Sequence, residues 1–171
     1  LVPETLQAEA GSTLWLALRL QHAERWHTYW INPGDAGRPT EIDWQLPEGV
    51  TAGTMLWPIP ERFDLPADLV DFGYTGDVSL LVPLQVPDSL SGTLALEADV
   101  RWYECDEICI PGSAHISLDL PVVEPGRAAP NDAAAWLFER TRASQPRSDV
   151  RLDSSFHFAN GELNLLVQAT E

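Results

Sequence analysis

Two cysteines stand in 171 residues, in the run Tyr103-Glu104-Cys105-Asp106-Glu107-Ile108-Cys109-Ile110-Pro111-Gly112. Two thiols this close suit disulfide exchange: one sulfur attacks a partner's disulfide, and the other resolves the mixed disulfide. A structural staple is the first alternative, and magnitude argues against it. A loop closed by five residues is worth about 2 kcal/mol in the chain-entropy model, and short loops often return less through strain. A pair of reduced, buried thiols is the second alternative, which Glu104, Asp106 and Glu107 oppose by making the segment polar. Metal ligation is the third and stays open, because soft thiolates suit Cu(I). The three acidic neighbours are expected to raise the thiol pKa above its ordinary value of about 8.5. Such a pair would react mainly when a partner docks.

The segments around the pair must hold it. Leu94 to Tyr103 reads as a strand running into Cys105, and a further strand is expected from about Ala114. Facing residues of antiparallel strands have Cα atoms about 4.5–5.5 Å apart. That separation overlaps the range a disulfide needs. Elsewhere the chain is made of short alternating runs punctuated by Gly, Pro and Asp. In Thr13 to Gln21 the residues Leu14, Leu16, Leu18 and Leu20 share one face. Trp26 to Ile31 is aromatic and β-prone, Glu41 to Leu46 alternates, and Asp77 to Val86 and His115 to Val122 complete the set. This spacing, with turn residues between, predicts an all-β antiparallel sandwich. Past Val123 the pattern changes. Glu124 to Pro130 has the composition of a linker, and Asn131 or Asp132 is placed to cap a helix over 133–143. Val150 to Phe158 and Glu162 to Gln168 flank Ala159-Asn160-Gly161, a hairpin signal. The expected units are a β domain over 1–124, a linker with a short helix over 125–148, and the start of a second β domain over 149–171.

Several ordered motifs together resemble the N-terminal periplasmic domain of DsbD-like disulfide reductases. These are Trp26-His27-Thr28-Tyr29-Trp30-Ile31-Asn32-Pro33-Gly34-Asp35-Ala36-Gly37, Trp57-Pro58-Ile59-Pro60, Asp71-Phe72-Gly73-Tyr74-Thr75-Gly76 and the cysteine run. The similarity covers about residues 10 to 122. Three residues lie between the cysteines, where better-studied members have five, and this spacing is similar to the ScsB branch, linked to suppression of copper sensitivity. The resemblance implies an immunoglobulin-like sandwich on the periplasmic side of an inner membrane, as one domain of an inner-membrane protein. It implies electrons arriving from a thioredoxin-like domain of the same protein and leaving to thioredoxin-fold disulfide proteins of the periplasm, such as isomerases or cytochrome c maturation proteins. By position, Cys109 attacks the partner and Cys105 resolves. The family shields its cysteines with an aromatic cap loop, for which Asp71, Phe72 and Tyr74 are the matching positions. No cofactor or bound metal is implied. The rival class is a copper-binding or purely structural sandwich.

The remaining residues narrow the function. The formal charge is −16, from 26 acidic residues against ten basic ones, all Arg. Nucleic acid is excluded as a partner, since phosphate neutralisation needs an excess of cations. No signal peptide pattern opens the chain and no 18-residue apolar run occurs; membrane association is expected only through a part beyond this sequence, which ends at Ala169-Thr170-Glu171 as if cut from a longer protein. His27 is read as a core histidine satisfied by a hydrogen bond. His22, His115 and His157 lack a metal-binding spacing. The seven Trp residues are read as core rather than as a carbohydrate platform. Asp35 is read as a turn residue.

Overall fold

A computed structural model describes residues 1–147 and 151–170. Its elements, in chain order, are β1 (Val2–Pro3), β2 (Ala8–Glu9), β3 (Thr13–Gln21), β4 (His27–Gly34), β5 (Glu41–Gln45), β6 (Thr51–Ala52), β7 (Glu61–Asp64), β8 (Val70–Thr75), β9 (Asp77–Gln85), β10 (Thr93–Cys105), β11 (Cys109–Val123), α1 (Ala135–Ala143), β12 (Arg151–Ala159) and β13 (Glu162–Thr170). One sheet has the order β1-β3-β9-β6, and the other β2-β11-β10-β4-β8-β7, with β5 also paired to β10. The two sheets face each other as an immunoglobulin-like sandwich.

The leucine alternation builds the interior. Leu14 and Leu16 of β3 and Val82 and Leu84 of β9 pack against Leu94, Leu96 and Leu120 of the other sheet. A second cluster joins Leu18, Val78 and Leu80 to Trp57, Tyr74 and Val100. The opposite face of β3 and β9 is covered as well. Ala17 and Leu81 meet Ala134, Leu137 and Phe138, with Trp15 alongside. Burying β3 and β9 on both faces explains why Trp15, Ala17 and Leu81 stand where a solvated strand would carry polar residues.

The helix therefore packs on the sandwich. Its last-turn arginines hold it there: Arg142 forks onto Glu4, and Arg140 donates to the Asp77 carbonyl. Neither expected capping residue caps it. Ala134 occupies the N-cap position with no side-chain bond, and the Asn131 side-chain amide instead donates to the Pro3 carbonyl.

Strand β11 begins at Cys109, five residues earlier than the sequence suggests, and runs through Pro111 and Gly112. Proline is tolerated because β2 pairs only with Val122 and Val123, leaving this end of β11 on the edge. A Cβ on Gly112 would fall 2.4 Å from the Trp102 ring, so glycine lets that indole lie across the strand.

The hairpin β12–β13 turns at Asn160 and Gly161, both with positive φ. Val150, the expected start of its first strand, lies outside the described residues, as does Glu171. Register pairs Phe156 with Leu165 and Phe158 with Leu163, and these side chains are exposed.

If α1 is part of the folded unit, Phe138→Ala opens a cavity in a fully buried site and costs about 3–5 kcal/mol in urea unfolding. A loss below about 1 kcal/mol, as for an exposed position, would make the helix a bystander.

Candidate functional site

Cys105 is the last residue of β10 and Cys109 the first of β11, and the register sets them directly opposite each other. Their sulfurs are bonded, with Cα atoms 4.1 Å apart. The loop Asp106-Glu107-Ile108 is closed by an Asp106 N–H to Ile108 carbonyl bond of 3.2 Å. The two sulfurs are unequal: Cys105 is 2% exposed, whereas Cys109 is an exposed residue. Arg25 reaches Asp106 at 3.2 Å and Glu107 at 3.4 Å, and offsets part of the acidic charge that the sequence places beside the thiols.

On its other edge Cys105 pairs with His27 of β4. Opposed residues of antiparallel strands project to the same face, and so do residues i and i+2 of one strand. Cys105, His27 and Tyr29 therefore share one face, the outer one. The buried Tyr29 hydroxyl donates to Cys105 Sγ at 2.8 Å and lies 3.4 Å from Cys109 Sγ. Burial, reinforced by the nearby Asp71 carboxylate, pushes the Tyr29 phenol up to about 12, so it acts as a donor across the physiological range. Gly37, at φ 77°, makes this position possible, since a Cβ there would fall 2.2 Å from the Tyr29 ring.

The alternation of β8 sorts the three residues expected to form the cap. Asp71 is buried beside the disulfide and accepts the Ala36 N–H at 2.9 Å. Tyr74 faces the sandwich interior, where its hydroxyl donates to the Pro58 carbonyl at 2.8 Å. Phe72 sets its ring edge-on to Trp30. Neither aromatic lines the space next to the sulfurs. That space, about 520 Å³, is bounded by His27, Tyr29 and Asp71, by both cysteines, and by Leu65, Pro66 and Leu69. The last three belong to the tip of the β7–β8 hairpin, a 3-10 turn over Pro66–Asp68 closed by a Leu65 N–H to Leu69 carbonyl bond. Ala67 and Asp68 both have positive φ, at 64° and 59°, a conformation disfavoured for residues with a side chain.

Residues 2–121 match the family model described as thiol:disulfide interchange protein DsbD, N-terminal. The chain belongs to this family. Its fold is also that of the crystal structure titled the N-terminal periplasmic domain of ScsB from Proteus mirabilis, with a TM-score of 0.70 at 24% identity. The match covers 96% of this chain and 62% of that one, so the chain spans less than two thirds of that relative. No curated protein matches. The family is one of thiol:disulfide interchange proteins, and the domain carries two cysteines, Cys105 and Cys109, joined as a disulfide.

Several residues differ from the roles their sequence context suggests. His27 is buried as expected, but the hydrogen bond expected to satisfy it is missing at Nε2, which has no partner. Asp35 does more than turn the chain: its carboxylate accepts the Val70 N–H at 2.8 Å and holds β8 in place. Of the tryptophans, Trp57 is in the core, while Trp136 is exposed on α1 beneath Arg19 and Arg140. Among the described residues no cluster of three or more His, Cys, Asp or Glu side chains could hold a metal ion, and no helix is long and apolar enough to cross a membrane.

If the hairpin tip is the barrier over the sulfurs, Leu69→Ala speeds reduction of the pair by dithiothreitol several-fold, while Phe72→Ala leaves it nearly unchanged. The opposite ranking would place the barrier at the aromatic positions.

Proposed function

We propose that this domain relays electrons within a larger inner-membrane protein on the periplasmic side, taking them from a thioredoxin-like part and passing them to disulfides of thioredoxin-fold partners. The supporting observation is the inequality of the two sulfurs. An exposed Cys109 can be reached by a partner, while a buried Cys105, bonded to Tyr29, can act only within the domain.

In the reduced domain, Cys109 attacks the partner's disulfide and forms a mixed disulfide. Cys105 then attacks Cys109 Sγ, the intramolecular bond closes, and the partner leaves as a thiol. The tip carrying Leu65, Pro66 and Leu69 shields Cys105 from water-borne oxidants between encounters. Asp71 lies beneath that tip. The edge-to-edge placement of the pair on the outer face suits docking, and the exposed Ile108 and Leu69 offer apolar contact beside it. The apolar stripe of β12–β13 is read as the inner face of a second β domain, in line with the longer chain of the structural relative.

The test is capture. Cys105→Ala, incubated reduced with periplasmic extract, retains a thioredoxin-fold protein as a mixed disulfide through Cys109, and Cys109→Ala retains none. Equal capture by both variants, or capture through neither, would overturn the assignment.

A further inference from the structure

We propose that His27 is the base that takes the proton from Cys105 as this sulfur closes the disulfide. The inference rests on the exchange reading above and deepens it. His27 and Cys105 are directly opposed in the β4–β10 pairing. Their Cβ atoms are therefore about 4.5–5.5 Å apart on the same face, and both line the space beneath the hairpin tip. The imidazole is only 8% exposed, yet its Nε2 has no partner. Buried polar atoms left unpaired are rare in folded proteins, and this one belongs to the residue opposite the reacting cysteine in the sheet. The ring is fixed by Phe63, with centroids 4.6 Å apart, and by the edge of Tyr29 at 5.2 Å.

The groups facing His27 suit a base. Burial lowers its proton affinity, Asp71 on β8 raises it, His22 lowers it, and Asp106 in the cysteine loop raises it; the balance lies below the ordinary imidazole value. The ring is thus neutral at pH 7 and free to accept. On its own strand Tyr29 stays protonated, and β7 presents the uncharged Phe63. Asp71 already holds the Ala36 N–H.

The step balances. The Cys105 S–H bond breaks and its proton goes to His27. The electron pair left on Cys105 Sγ forms the bond to Cys109 Sγ. The bond from Cys109 to the partner sulfur breaks, that sulfur leaves with the electron pair, and it takes the proton from the imidazolium. The domain loses two electrons and the partner gains them.

The experiment uses the 171-residue chain, reduced and mixed with oxidised glutathione, with acid quench and mass spectrometry to separate mixed-disulfide formation from closure. In His27→Gln and His27→Phe, closure slows about 100-fold at pH 7, the size of general-base assistance, while the first attack by Cys109 keeps its rate. The closure profile also loses its imidazole step and rises only as the thiol ionises. As a readout free of mutation, the closure rate of the wild-type chain rises with the loss of the His27 proton, its lower midpoint coinciding with the His27 titration followed by NMR in the reduced chain, as a neutral imidazole acting as base requires. Closure in His27→Gln with the wild-type rate and profile overturns the proposal, and so does a wild-type closure rate that does not change across the His27 titration. If the wild-type pair does not react with glutathione at all, the exchange reading falls and this proposal falls with it.

Discussion

Cys105 is the point at which three strands meet. It ends β10, faces Cys109 across one edge and faces His27 across the other. That double register fixes almost everything else at the site. It puts both sulfurs on the outer face of the larger sheet, away from the sandwich interior. It brings His27 and Tyr29 of β4 onto that face, and leaves Thr28 and Trp30 to pack inward. A shift of one residue in either pairing would turn these side chains to the opposite face. Gly34 and Gly73 allow β4 and β8 to approach closely enough to hold the register, since a Cβ at either would collide with the neighbouring strand's backbone.

The remaining architecture supports this corner. The β3–β9 pair, buried on both faces by the leucine core and by α1, anchors the sandwich. The reactive end of the other sheet is edge-like, with Pro111 and Gly112 inside β11. The electrostatics follow the same division. The chain is strongly acidic, yet beside the sulfurs Arg25 bridges Asp106 and Glu107, so the thiols feel less negative field than the local sequence implies. Because these charges are exposed, salt screens their influence, and the buried neighbours Tyr29 and His27 set the environment of Cys105.

Much of this was legible in the sequence. The cysteine pair between two strands, the leucine alternation and the Asn160-Gly161 turn are local patterns whose meaning needs no tertiary information. The family resemblance rested on ordered motifs, and the family match bears it out. The lining of the space beside the sulfurs was not legible. Leu65, Pro66 and Leu69 lie some forty residues from the cysteines and carry no pattern that ties them to the pair, while Asp71, Phe72 and Tyr74 stand at the positions that match the family's cap loop. The period of β8 decides their fate, because Asp71 and Gly73 face the site and Phe72 and Tyr74 face away. The partners of His27 depend on which strand flanks β10, and composition does not encode that. The early start of β11 was hidden by Pro111, which argues against a strand unless the edge position is known.

The central claim is that the Cys105–Cys109 bond is an exchangeable electron carrier rather than a staple. The most direct measurement is the reduction potential of the pair, by equilibration of the purified chain with reduced and oxidised glutathione and alkylation of the free thiols. The account predicts a potential above about −300 mV, within the range of thiol–disulfide carriers. A potential far below about −300 mV, with the bond intact at every glutathione ratio, is the behaviour of structural disulfides and would contradict it.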